Sequence, residues 1–257
     1  MFDLGLTGKI ALITGGSDGL GRATAHRLAQ EGAKVAICAR RQDHLERTAQ
    51  EIASETGGEV LPIAGDVTNS EDCDRMIAAT VERFGGLDIL VNNAGASAAH
   101  ALSDVSDDDW QTDFDLKVMA SVRLCRAAVP LMQARGGGSI VQASIGGGKA
   151  PKARQLPTSL TRAAGLNLTK SLAQELAPDN IRVNAICIGL LKSAQWDRRA
   201  GNAPVAELYD KMAEGIPLGR VGEAEDYADA VAFLCSARAT YITGTAINVD
   251  GGLCPVL

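Results

Sequence analysis

Tyrosine is scarce in this chain of 257 residues: there are three, and no tyrosine precedes Tyr209. Aromatic residues make up 4% of the chain, no cluster of basic residues is interleaved with aromatics, and the net charge is -6, which argues against a nucleic-acid surface. Histidine is as sparse, and His26, His44 and His100 have no metal-ligand spacing. The six cysteines, Cys38, Cys73, Cys125, Cys187, Cys235 and Cys254, form no CxxC pair, which excludes a recognisable metal or redox motif; free thiols in a reducing compartment are expected. No N-terminal apolar stretch is long enough for a signal peptide or a membrane span, so a cytoplasmic protein without a membrane partner is expected. Linkers, repeats and low-complexity tracts are also missing. With 46% hydrophobic residues and no shift in composition, positions 1–257 are expected to form one domain with a large core.

What the chain does contain is alternation. Apolar strand candidates near 9–14, 34–39, 59–63, 87–92, 138–144, 180–186 and 245–249 alternate with helical segments, and the first contains a continuous apolar run, Ile10–Ile13. Runs of this kind are strands buried on both faces. Their alternation with helices specifies right-handed crossovers and a parallel sheet. The expected fold is α/β, a single doubly wound Rossmann-type domain with a seven-stranded parallel sheet and helices on both faces. Its ligand crevice lies outside the carboxyl ends of the strands, so binding groups are sought just after Ile13, Cys38, Ile63, Val91 and Val141.

The first of those positions carries a motif. Ile10-Ala11-Leu12-Ile13 runs into Thr14-Gly15-Gly16-Ser17-Asp18-Gly19-Leu20-Gly21, and a helix follows through Ala23, Ala25, Leu28 and Ala29. Glycines let the backbone approach a dinucleotide pyrophosphate, and the helix N-terminus offers free N–H groups and its positive dipole end. After the second strand, where an acidic residue would bond a ribose 2′-hydroxyl, the chain has Ala39-Arg40-Arg41. Arg40 can pair with a 2′-phosphate, which favours NADP and leaves NAD open. Asp18 opposes that preference, and Arg40 and Arg41 read equally well as solvated charges at a helix entry.

From Thr7 to Gly252 the chain resembles the short-chain dehydrogenase/reductase family. The resemblance rests on the glycine loop, on Asp66-Val67 after the third strand, on Asn92-Asn93-Ala94-Gly95 after the fourth, and on the tail from Tyr241-Ile242-Thr243-Gly244 to Asn248-Val249-Asp250-Gly251-Gly252. It implies that Thr14, Gly15, Ser17, Asp18, Gly19, Leu20, Gly21, Asp66, Val67, Asn92, Ala94 and Gly95 serve the cofactor. It also implies a homodimer or homotetramer, and a lid at about 190–215 whose Trp196 touches a small-molecule substrate.

The reaction centre departs from the family pattern. Ala163-Ala164, followed by Leu168-Thr169-Lys170-Ser171-Leu172-Ala173, matches the family helix that begins with the catalytic lysine. This register sets Arg162 at the lysine and Thr158 at the tyrosine. Counting from Trp110 through Asp115 and Leu116 sets Lys117 at the family's asparagine, while Ser144 keeps its usual residue; Ile188 stands where proline is usual. A threonine hydroxyl is far too weak an acid to replace a tyrosine of pKa about 10 lowered by a lysine. Arg162 can still hold ribose hydroxyls, but it stays protonated and relays nothing. Lys117 is the remaining candidate acid, its pKa pushed toward neutrality by burial beside Arg162; it reads as readily as a lysine snorkelling to solvent. Lys149, Lys152 and Arg154 crowd the loop before Thr158, either as an anion site or as a solvated face.

Three readings follow: a divergent NAD(P)(H)-dependent oxidoreductase acting on a carbonyl or alcohol with an altered proton donor; a catalytically inactive or non-redox nucleotide-binding protein; or a structural partner in a mixed oligomer. The retained glycine loop, Asp66, Asn92 and Ser144 favour the first.

Overall fold

A computed structural model describes residues 3–193, 196 and 204–257. Seven parallel strands form one sheet in the order β3-β2-β1-β4-β6-β8-β9: β1 (Ile10–Thr14), β2 (Lys34–Ala39), β3 (Val60–Ala64), β4 (Ile89–Asn92), β6 (Gly138–Ile145), β8 (Ile181–Ile188) and β9 (Ala246–Val249). The chain steps outward from β1 to β3 and then returns to β4 on the other side of β1. That reversal opens a crevice above β1 and β4.

Alternate strand residues feed two cores. Ala11 and Ile13 of β1 face one side, against Leu28 of α1 (Gly19–Gln30), Ile52 of α2 (Gln42–Thr56) and Val231 of α8 (Ala224–Cys235). Ile10 and Leu12 face the other side, against Met76 of α3 (Ser70–Phe84), Leu124 of α5 (Ala120–Ala134) and Ala173 of α6 (Thr158–Glu175). Both layers exclude water from the central strands, which is why β1 reads as an apolar run from Ile10 to Ile13.

Strand boundaries differ from the sequence expectation by a residue or two. β4 begins at Ile89 rather than 87; just before it, Asp88 bonds both neighbouring strands through its backbone (to the Ile10 carbonyl and from the Ser139 amide, both 2.9 Å), and its carboxylate accepts from the Ile10 amide (2.9 Å) and from Arg135 Nε (2.8 Å). A further antiparallel pair, β5 (Ala99–His100) with β7 (Leu156–Pro157), had no signal in the sequence, being two residues on each side. It ties the loop after β4 to the start of α6. On the same wall, α4 (Asp107–Phe114) passes into α5 through a π-helical turn, Asp115–Met119. The remaining helix, α7 (Val205–Ala213), belongs to the segment expected as a lid, of which 194, 195 and 197–203 lie outside the described residues. Among the described residues no helix is long and apolar enough to cross a membrane, and no group of three or more metal-ligating side chains occurs.

Candidate active site

An open cleft of about 1180 Å³ lies over the carboxyl ends of β1, β2, β4 and β6. One half is shaped by the backbone. A Cβ on Gly21 would collide with the carbonyl oxygen of Gly15, and one on Gly16 would lie 2.7 Å from Ile37 Cβ, so loop and helix meet only because these positions are glycine. Gly15 adopts φ +66° and passes 3.1 Å (Cβ position) from Ala94 Cα. Thr14 locks the two strand ends together: its Oγ1 accepts from the amides of Asn93 and Ala94, both at 3.0 Å. α1 starts at Gly19 with no side chain capping it, which leaves its first amides for a ligand. A glycine cradle at an uncapped helix N-terminus fits a dinucleotide pyrophosphate.

The three charges beside this loop are not equivalent. Asp18 is held by Arg41 (Oδ2 to Nη2, 3.1 Å), and its Oδ1 lies 3.0 Å from His44 Nε2 without a hydrogen bond. Arg40 is exposed, lines the cleft next to Ala39, and forms no ion pair with the described residues. The carboxylate that opposed an NADP site in the sequence is therefore turned onto a neighbour, and Arg40 is left for an anion. Asp66 accepts from the amide and hydroxyl of Thr68 (2.9 and 2.8 Å), which fixes the turn that carries Val67 along the cleft.

The other half is built from side chains on two helices. Lys117, in the π turn, is buried; its Nζ donates to Asp113 Oδ1 and to Thr158 Oγ1 (2.8 Å). Thr158 opens α6 and lines the cleft, and its Oγ1 also accepts from the Ala98 amide (2.9 Å). Thr161, one turn on, donates to Asp113 Oδ2 (2.6 Å). Burial pushes the Lys117 ammonium down to about 8; the Asp113 carboxylate resists that shift and the Arg162 cation adds to it. Arg162 lies flat under Gly95, where any Cβ would collide with its Nη2, and its Nη1 donates to the Ala143 carbonyl (2.5 Å). Its Nε is buried without a partner. Burial lowers the Arg162 pKa, yet a guanidinium stays charged.

The family described as Enoyl-(Acyl carrier protein) reductase matches residues 15–254. Dehydrogenase/reductase SDR family member 4 from Homo sapiens is 39% identical over 255 residues, spanning 96% of this chain and 88% of that protein. The chain belongs to the short-chain dehydrogenase/reductase family. Among solved structures, L-sorbose reductase from Gluconobacter frateurii, complexed with NADPH and L-sorbose, superposes with a TM-score of 0.96 at 38% identity over 100% of both chains. The NADPH-bound short-chain oxidoreductase of Pseudomonas aeruginosa PAO1, described as containing an atypical catalytic center, gives 0.92 at 34% identity over 97% of this chain and 98% of that one.

In this short-chain dehydrogenase/reductase the expected site residues fall into a set that lines the cleft and a set behind it. Gly15, Ser17, Asp18, Gly19, Leu20, Gly21, Arg40, Arg41, Asp66, Val67, Ala94, Gly95, Thr158, Arg162 and Trp196 line the cleft, whereas Thr14, Asn92, Lys117 and Ser144 stand behind its wall. Asn92 reaches Cys125 Sγ through Nδ2 (3.5 Å) and keeps a buried, unpartnered Oδ1. Ser144 is buried on β6, and its hydroxyl is 3.4 Å from the Arg162 carbonyl. Of the two readings of the three loop cations, the joint anion site does not form. Lys149 Nζ ties the carbonyl of Ala246 to Asn248 Oδ1, both at 2.7 Å, and Arg154 pairs with Asp104, so Lys152 alone faces the cleft. Asp113 and Thr161 escaped the sequence reading. Their one trace is spacing: Asp113 precedes Lys117 by four residues and Thr161 follows Thr158 by three, so each pair shares a helix face.

Proposed function

We propose that this protein is an NADP(H)-dependent oxidoreductase that interconverts a small-molecule carbonyl and its alcohol, using Lys117 and Thr158 as a proton relay. On this reading Thr158, Arg162 and Lys117 occupy the places of the family's tyrosine, lysine and asparagine. The NADPH bound by the sorbose reductase and by the Pseudomonas oxidoreductase, together with Arg40, which has no ion pair among the described residues, supports the phosphorylated cofactor. The glycine loop would hold the pyrophosphate, Arg40 the 2′-phosphate, Asp66 and Val67 the adenine end, and Arg162 the ribose next to the nicotinamide. When bound, the nicotinamide supplies or accepts the hydride.

One observation carries the proton half. Thr158 Oγ1 already accepts two hydrogen bonds, from Lys117 Nζ and from the Ala98 amide, so what it has left to offer the cleft is its own O–H. The hydroxyl alone is too weak an acid. With Lys117 behind it, Thr158 gives its proton to the substrate oxygen as it takes one from the ammonium, staying neutral throughout while the charge leaves Lys117. Oxidation of an alcohol runs the same path backwards, with the neutral Lys117 amine as the final acceptor. Arg162 faces the same spot as a fixed cation and stabilises negative charge developing on that oxygen.

NADPH consumption against a panel of carbonyl compounds tests the reading. Lys117→Met and Thr158→Val are each expected to lower turnover by about 10²–10⁴-fold, the usual cost of a lost general acid, while NADPH still binds. Wild-type turnover in Lys117→Met would end it.

A further inference from the structure

Four side chains form a bonded row between two helical segments: Asp113 and Lys117 on the α4–π turn, Thr161 and Thr158 on α6. Lys117 donates to Asp113 along one edge and to Thr158 (2.8 Å) across the gap, and Thr161 donates to Asp113 (2.6 Å) across the gap one turn away. Asp113 has both carboxylate oxygens engaged, and it is 4% exposed. Its charge is the single anion in a group that contains two buried cations, Lys117 and, from the next turn of α6, Arg162. A helix so short and acidic presents its other carboxylates to water; Asp113 is the one turned inward.

We infer that Asp113 is the positioning residue of the proton donor: its carboxylate aims the Lys117 ammonium at Thr158 Oγ1 and keeps it protonated in the presence of Arg162. The inference rests on the relay proposed above. Asp113 does not touch substrate or cofactor; it acts through Lys117. Aim and charge have separate consequences. Loss of the charge leaves Lys117 buried beside Arg162 with no counterion, so its proton is released at lower pH. Loss of the aim leaves the proton in place but off the Thr158 axis, which slows transfer without moving the titration.

The experiment is a pH titration of the lysine Cε resonances by NMR in ¹³C-lysine-labelled protein, with Lys117→Met identifying the Lys117 signal. Wild type is expected to titrate near 8. Asp113→Asn, which keeps the shape and removes the charge, is expected to titrate at least one pH unit lower; an unchanged midpoint overturns the inference. Asp113→Glu keeps the charge and shifts it by one methylene. It is expected to titrate within half a unit of wild type and to turn over at least tenfold more slowly; turnover at the wild-type rate overturns the aiming role, even if Asp113→Asn fails to fold. The relay is judged separately by the turnover of Lys117→Met.

Discussion

Replacement of Arg40 by alanine isolates the cofactor half of the proposal. Arg40 is exposed at the end of β2 and carries no partner among the described residues, so its removal breaks no internal bond and leaves the fold intact. A hydrogen bond to a charged group contributes about 1.5–3 kcal/mol, so NADPH affinity is expected to fall roughly 10- to 150-fold, with NADH affinity unchanged. Arg41 supplies the internal control. It is bound to Asp18 at 3.1 Å, and Arg41→Ala removes no direct phosphate contact but uncovers a carboxylate that His44 alone still faces. An exposed like charge at that range acts through water, so the expected loss is smaller, about fivefold or less, and is relieved in Arg41→Ala,Asp18→Asn. Calorimetric titrations of the variants with NADPH and NADH at two salt concentrations read all of this, and the Arg40 effect should shrink as salt rises. If Arg40→Ala binds NADPH like wild type, or loses NADPH and NADH affinity equally, Arg40 is a solvated charge and the argument from the ion pairs is wrong.

Further predictions concern the reacting end. On the proposed relay Lys117 gives up its proton in reduction, and with its pKa lowered to about 8 reductive turnover should be flat below that value and fall about tenfold per unit above it. Oxidative turnover, which needs the free amine, should rise up to about 8 and then level off; pH profiles in the two directions check the sign. Gly95→Ala forces a methyl into the Arg162 guanidinium, so it should cost about 1–3 kcal/mol and weaken the stabilisation given by NADPH, seen as a smaller ligand-induced rise in thermal midpoint. Lys152→Ala should raise KM for carbonyl substrates bearing a carboxylate or phosphate by up to about fivefold, the scale of an exposed ion pair, and leave neutral ones unaffected.

Sequence alone reaches a fold when the information is local. Ile10–Ile13 of β1 is a continuous apolar run, and burial on both faces is a requirement such a run states by itself; β6 and β8 remain mostly apolar although Gln142, Arg182 and Asn184 interrupt them. What the runs did not state was the contact of distant side chains at their ends, such as the Asp88 carboxylate that accepts from the Ile10 amide and Arg135. β5 and β7 were unreadable for a related reason, because two residues on each side carry no period and their pairing joins positions 56 or more apart.

The same division runs through the cleft. Its cofactor half is a backbone construction in which a side chain at Gly16, Gly21 or Gly95 collides with its surroundings, so the residues leave a mark that can be read in order along the chain. Its proton-transfer half is made of contacts between residues 41 and 48 positions apart, and neither Lys117 nor Asp113 shows in isolation whether it is buried. Lysine on a helix ordinarily reaches water; here the amine is enclosed, and enclosure of an ammonium beside a guanidinium is unfavourable unless an anion is enclosed with them. A lysine read as buried at position 117 therefore demands a carboxylate within a helical turn, and Asp113 is the acid four residues before it. That step was available from charge balance once Lys117 and Arg162 were both assigned to the site. Thr158 was set at the tyrosine position by the register of the same helix, but the two donors that meet on its Oγ1, the Ala98 amide and the Lys117 ammonium, were not legible, because both lie far from it in the chain.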